Sequence, residues 1–119
     1  GSLCAIDPAA LSKLAVLDLP GEPRMAAKCF EFFLTSTPAS LTVMHDAIST
    51  GRSDLMCQEA HKLRTSSATL GAHLMAEICL EIENFNTTDG VLNSMKNLLE
   101  KLTHEYERAK HELNILVSR

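Results

Sequence analysis

The chain has 119 residues, of which 45% are hydrophobic, so one domain can bury a core without disulfides or metal ions. Only 4% of the residues are aromatic and none is Trp, so aliphatic side chains must build the core. That composition favours helices packed on helices. The formal net charge is -4 and the basic residues form no run, which argues against nucleic-acid binding.

The four cysteines are widely spaced and form no C-x-x-C pair. This spacing predicts free thiols in a reducing cytoplasm rather than a disulfide framework or a zinc knuckle. No apolar run approaches the roughly 20 residues that span a bilayer, and no secretory signal is visible. We therefore expect a cytoplasmic domain without membrane contact. The opening Gly1-Ser2 is typical of a cloning scar, so we expect residues 3–119 to be a single domain, excised from a larger protein.

Helix signals recur along the chain and strand signals do not. Asp7 followed by Pro8 predicts the start of a short helix that runs to about Leu17, and the sequence DLPGEP then breaks it. A second helix follows, with an apolar face typical of the 3.6-residue period. The residues predicted on that face are Met25, Cys29, Phe32 and Phe33.

The sequence TSTP predicts an interruption and a new helix. Thr37 is expected to cap this third helix, Pro38 to be its first residue and Gly51 to end it. The predicted apolar stripe of the third helix is Leu41, Met44 and Ile48.

Three further helices are predicted in the second half of the chain. The fourth begins near Ser53, and Gly71 can adopt the left-handed conformation that ends it. The fifth follows at once, the sequence NTTDG is a turn, and the sixth keeps a 3–4 rhythm for over three heptads. The predicted inward residues are Met56, Ala60, Leu63, Ser67 and Leu70 in the fourth helix; Ala72, Met75, Cys79 and Ile82 in the fifth; and Leu92, Met95, Leu99, Leu102, Tyr106, Ala109, Leu113 and Leu116 in the sixth.

Short loops between long amphipathic helices give antiparallel neighbours. We therefore expect an all-α fold, an antiparallel four-helix bundle made by the third to sixth helices. The first two helices would be additional N-terminal elements that cover one end or side of it.

His61 lies one residue off the inward stripe of the fourth helix, about 100° around its axis. Its face carries no large apolar side chain, so we expect the imidazole to be exposed. An exposed neutral imidazole is a competent nucleophile near pH 7. Arg64, one turn on, could pair with the oxygens of a phosphoryl group that landed there. Thr65 and Ala68 are small enough to let a partner approach.

The segment AHKLRTSSATLGA, residues 60–72, resembles the signature of histidine-containing phosphotransfer (HPt) domains, roughly A-H-x-L-K-G-S-S-x-x-L-G-A. The following EICLEIE, residues 77–83, is similar to the usual continuation. The residues that match the signature are Ala60, His61, Leu63, Ser66, Ser67, Leu70, Gly71 and Ala72.

The resemblance implies a phosphorelay carrier with an HPt-like helical fold. His61 would accept a phosphoryl group from the aspartate of one response-regulator receiver domain and pass it to another receiver. It also implies that the domain is not an enzyme in its own right, has no cofactor of its own, and takes Mg²⁺ from the partner receiver. Its partners would be receiver domains and a hybrid sensor histidine kinase, and the domain itself would be a monomer.

Two positions depart from the family pattern. Arg64 takes the place of the usual lysine and would stabilise the phosphoryl group, with a fork of donors instead of a point charge. Thr65 takes the place of the usual glycine; its branched side chain narrows the approach, and its hydroxyl could hydrogen-bond a phosphoryl oxygen. The expected partner-binding residues around them are Cys57, Gln58, Lys62 and Ala68.

Two small residues near the site have structural interpretations. Ser67 lies on the inward stripe, where it permits close helix packing and can bond back to the Leu63 carbonyl. Gly71 is expected to be structural as well, as the residue that ends the fourth predicted helix.

The dimerisation helices of sensor histidine kinases carry a motif that competes with this interpretation. It is roughly H-E-L-R-T-P, which HKLRTS resembles, but Lys62 replaces the Glu and Ser66 the Pro that kinks the helix. A kinase domain of this kind would be an obligate dimer, which a sizing column would detect.

A metal site and an adaptor without chemistry are two more hypotheses for the same residues. Cys57 and His61 could share an ion, and His104 and His111 lie two turns apart, but zinc needs three or four converging ligands. We therefore predict no metal site.

An adaptor would use the small-residue strip as a groove for a partner helix and would not need His61.

Overall fold

The computed structural model describes residues 6–7, 9–10, 25–84 and 91–117, and in these ranges the ordered elements are helices, with no strand. The helices are α1 (Met25–Thr50), α2 (Ser53–Thr69), α3 (His73–Glu83) and α4 (Val91–Val117). The main contacts join α1 to α2, α2 to α3, α3 to α4 and α4 to α1, so the four helices close a ring around one core. The predicted all-helical class is confirmed. None of the described helices is both long and apolar enough to cross a membrane.

Helix α1 runs unbroken through Pro38, so the predicted interruption at TSTP is wrong. The buried positions keep a helical period across the proline, and Pro38 itself faces solvent. A proline inside a helix lacks its own N–H and its ring crowds the carbonyl four residues earlier, but the Pro38 carbonyl still accepts a hydrogen bond, from Thr42 Oγ1 at 3.0 Å. The continuous stripe therefore outweighs the cost of the proline, about 3 kcal/mol. The buried residues of α1 are Phe30, Phe33, Thr37, Ser40, Leu41, Met44 and Ala47.

The N-terminal part of α1 matches its predicted inward face only in part: Phe33 is buried as predicted, and the side chain of Met25 lies outside the described residues. Phe32 is predicted in the core, but its relative exposure is 62%, and Phe30 is buried instead. Cys29 is half-buried. The stripe that continues through Thr37 starts at Phe30, and this places Phe32 outside.

The inward faces of α2 and α3 are confirmed. All the residues predicted for these two stripes are buried. In α4 the same holds from Met95 to Leu113, while the side chains of Leu92 and Leu116 and the NTTDG turn lie outside the described residues.

The turn between α2 and α3 is built on Gly71, whose φ is +82°. A short N-terminal segment packs on this turn: Asp7 N donates to the Gly71 carbonyl at 2.9 Å, and a Cβ on Gly71 would lie 2.7 Å from the Asp7 carbonyl oxygen. Ala9 N donates to Asp7 Oδ1 at 3.0 Å, which confirms Asp7 as a cap. Most of the first predicted helix lies outside the described residues. The buried Ile6 ties the segment to the core.

Candidate functional site

The imidazole of His61 stands on the surface of α2, on the flank that faces α3. Its side chain is 64% exposed, as predicted. The ring does not point freely into solvent, because Nδ1 lies 2.8 Å from Oε1 of Glu83, near the end of α3. One ring nitrogen is thus held by a carboxylate from a neighbouring helix.

Glu83 also holds the nearest cation. Arg64 Nε donates to Glu83 Oε2 at 2.6 Å, and Arg64 Nη2 lies 3.3 Å from His61 Nδ1, so three side chains form a closed cluster. Burial alone would raise the pKa of Glu83, but the hydrogen bonds from Arg64 and His61 outweigh it and hold that pKa below its ordinary value. Glu83 is therefore ionised near neutral pH.

The ionised Glu83 decides the tautomer of His61. A carboxylate can only accept hydrogen bonds, so the 2.8 Å contact requires a proton on Nδ1. A protonated Nδ1 has no lone pair with which to accept a hydrogen bond from Arg64. The 3.3 Å distance from Arg64 Nη2 to Nδ1 is therefore a close contact and not a hydrogen bond. In the neutral ring Nε2 is left with the free lone pair, the nucleophilic position.

The predicted partner-binding residues surround this cluster. Gln58 and Ala68 are exposed. Lys62 is exposed as well, but its ammonium is paired with Glu59 at 2.9 Å. Cys57 is half-buried, its thiol lies 3.6 Å from the Ile82 carbonyl, and burial raises the pKa of that thiol.

The two serines of the signature differ in burial and in hydrogen bonding. Ser67 is buried, but its hydroxyl has no hydrogen-bond partner among the described residues. Ser66 instead donates to the Leu63 carbonyl at 3.2 Å. The predicted bond from Ser67 to Leu63 is therefore wrong, and Ser67 lies in the core as a small residue.

A groove of about 350 Å³ runs between α1 and α2 beside the site. The exposed Phe32 forms part of its α1 wall, and Thr65 connects it to the His61 face. The α2 side also includes Lys62, Ser66 and Thr69.

Metal ligands do not converge in the part of the chain that the structure describes, where no group of three or more His, Cys, Asp and Glu side chains could hold an ion. His73, the first residue of α3, pairs with Asp7 at 3.2 Å. That pair lies at the α2–α3 turn and belongs to the packing of the N-terminal segment.

Glu83 is not among the predicted site residues, although the sequence carries a signal for it. His61 stands ten residues before Gly71, and Glu83 twelve after it. In a helical hairpin that folds back at Gly71, positions at nearly equal distances from the turn lie at the same level. Glu83 also follows Ile82 of the inward stripe by one residue, which turns it to a flank of the helix.

The chain matches one protein family over most of its length. The family model described as "Hpt domain" matches residues 29–112. A crystal structure of histidine-containing phosphotransfer protein B (HptB) from Pseudomonas aeruginosa PAO1 has 22% sequence identity to the chain and a TM-score of 0.80, with 95% of this chain and 94% of that chain covered. At 22% identity, this structural similarity shows that the two proteins share a fold. A comparison with curated protein sequences found no match.

Proposed function

This chain belongs to the family of Hpt domains, and from that premise we propose that it carries a phosphoryl group on His61 between the aspartates of two receiver domains. The observation that supports this best is the contact of Nδ1 with Glu83 at 2.8 Å, on a ring that is otherwise exposed. It leaves Nε2 as a free nucleophile on an accessible surface. Nε2 is therefore the proposed acceptor atom.

The transfer needs no further reactant. The Nε2 lone pair attacks the phosphorus of the aspartyl phosphate, the P–O bond to the aspartate breaks, and the electron pair leaves with the carboxylate. Nδ1 keeps its proton, so the positive charge that develops on the ring faces Glu83. The reverse reaction on a second receiver restores the neutral imidazole.

Arg64 is the proposed phosphoryl-stabilising cation. Glu83 fixes its Nε, and its Nη2 lies 3.3 Å from the ring, so the guanidinium is held beside His61 before a phosphoryl group arrives. A guanidinium offers several donors in a rigid fork. The remaining N–H groups can bind phosphoryl oxygens while Nε stays on Glu83.

The rest of the proposal concerns partners. The receivers would dock on Cys57, Gln58, Lys62 and Ala68 around His61, and a hybrid sensor histidine kinase would supply the first of them. The receivers would bring the catalytic aspartates and Mg²⁺, and the domain would act as substrate and carrier without a cofactor. We expect it to run as a monomer on a sizing column.

The test is a phosphotransfer assay with labelled ATP and several hybrid kinases that carry a receiver. Wild type is compared with His61→Gln and with a matched control, His45→Gln, which removes another exposed imidazole. We expect an acid-labile, alkali-stable label on wild type and on the control, and none on His61→Gln. Equal labelling of all three proteins would refute His61 as the acceptor. No label from any donor would contradict the carrier role.

A further inference from the structure

Thr65 differs from most other threonines in the described helices. Five of them donate their hydroxyl to the carbonyl one turn earlier: Thr35, Thr42, Thr50, Thr69 and Thr103. The carbonyl one turn before Thr65 belongs to His61, yet within the described residues the Thr65 hydroxyl has no hydrogen-bond partner. The other exception, Thr37, is buried. Thr65 is exposed, so its hydroxyl is accessible to a ligand.

The position of this hydroxyl relates it to His61. Residues four apart on a helix have Cβ atoms about 5–6 Å apart. Helical side chains lean toward the N-terminus, so Thr65 leans over the turn that carries His61. Because Nδ1 is held by Glu83, Nε2 is the ring nitrogen that points away from that carboxylate.

The neighbouring cations are already engaged. Arg64 is bound to Glu83 at 2.6 Å, and Lys62 is bound to Glu59 at 2.9 Å. Each of these cations divides its donors between a carboxylate and any new group, whereas the Thr65 hydroxyl has no hydrogen-bond partner in the described residues. A phosphoryl group on Nε2 would offer it an anionic oxygen, and hydrogen bonds to charged acceptors are stronger than neutral ones.

We propose that the Thr65 hydroxyl donates a hydrogen bond to the phosphoryl group carried on Nε2 and so stabilises the phosphorylated form. This inference rests on the proposed function. The bond forms after transfer and changes no covalent step. A glycine, which the family usually has at this position, could not supply it.

Two substitutions separate the hydroxyl from the shape of the side chain. Thr65→Val keeps the branched shape and loses the hydroxyl, and Thr65→Ser keeps the hydroxyl and loses the methyl group. Wild type and both variants would be phosphorylated with phosphoramidate, whose P–N bond breaks with loss of ammonia, so no partner protein is needed. The ionisation of the phosphoryl group would then be followed by ³¹P NMR against pH, with His61→Gln to assign the resonance.

A donor to the phosphoryl dianion lowers the pKa of that group. We expect Thr65→Val to raise its titration midpoint by roughly 0.4 to 1 pH unit, the equivalent of one hydrogen bond, and Thr65→Ser to titrate like wild type. An unchanged midpoint in Thr65→Val, with the resonance present, would overturn this inference and leave the proposed function intact. Equal shifts in both variants would overturn it too, since shape alone would explain them. A wild type that gains no phosphohistidine resonance would overturn both.

Discussion

Replacing Gly71 by alanine is expected to destabilise the fold for two separable reasons. The first is the backbone: φ is +82° at Gly71, and the left-handed conformation costs an alanine roughly 1–2 kcal/mol. The second is space, because the new Cβ would lie 2.7 Å from the Asp7 carbonyl oxygen and 2.9 Å from the Ala10 Cβ. Real Cβ atoms do not approach a carbonyl oxygen so closely, so the N-terminal segment must move away.

The cost of that movement follows from what the segment contributes. It would weaken the 2.9 Å hydrogen bond from Asp7 N to the Gly71 carbonyl, a loss of about 1 kcal/mol. It would also partly expose Ile6, which is 1% exposed and whose full exposure costs roughly 1.5–3 kcal/mol. Together with the backbone term, Gly71→Ala should lower the free energy of unfolding by about 3–5 kcal/mol.

Gly51 provides the matched control. Its φ is +72°, and apart from its chain neighbours no atom of the described residues lies within 4 Å of a Cβ built on it, so Gly51→Ala should cost the backbone term alone, roughly 1–2 kcal/mol. Urea unfolding followed by far-UV circular dichroism measures both. Equal losses would refute the reasoning from the close approach of Asp7. In a chain that lacks residues 1–10, the excess cost at Gly71 should disappear.

Three further predictions concern single side chains. Against the effect of burial, the hydrogen bonds from Arg64 and His61 hold the pKa of Glu83 below its ordinary value of 4.5, so its ion pairs should stabilise the fold above pH 4.5 and lose their effect as pH falls through the lowered pKa. The stability difference between wild type and Glu83→Gln should therefore shrink as pH falls below 4.5. The same variant should accept the phosphoryl group roughly tenfold more slowly, and a rate equal to wild type would argue against the role of Glu83. Burial raises the pKa of Cys79 to about 12, so iodoacetamide should label it only after denaturation, as mass spectrometry would show; rapid labelling of the native protein would contradict this. Pro38→Ala restores a backbone donor inside α1 but gives the unfolded chain more conformational entropy, so it should raise the free energy of unfolding by about 2 kcal/mol, less than the full helix cost of the proline. A loss of stability in urea would mean that the proline is needed.

The sequence predicted the faces of α2 and α3 because large apolar residues there repeat every three or four positions without interruption. The same rule applied to α1 would have corrected the predicted break. Phe33, Thr37, Leu41 and Met44 keep the period across Pro38, and a proline on the exposed side removes one hydrogen bond without disturbing that stripe. The predicted break rests on the local sequence TSTP alone. The buried stripe extends over more residues, and the free energy of packing it keeps α1 continuous through Pro38.

The site residues also differ in how far the sequence predicts them. His61 and Arg64 could be found from one helix, because their spacing places both on the same exposed face. Glu83 could not be found from that helix. Its contact with His61 depends on the register between α2 and α3, which the turn at Gly71 and the buried stripes of both helices set together.

The arginine at position 64 is best understood through that third residue. A lysine has a single ammonium group, and binding Glu83 would hold it at the carboxylate. Arg64 can bind Glu83 through Nε at 2.6 Å and still keep Nη2 beside the imidazole, 3.3 Å from Nδ1. The fork therefore lets one carboxylate fix the tautomer of His61 and the place of its cation at the same time. In this protein Arg64 and Glu83 bind each other directly, and the two side chains together position the imidazole of His61.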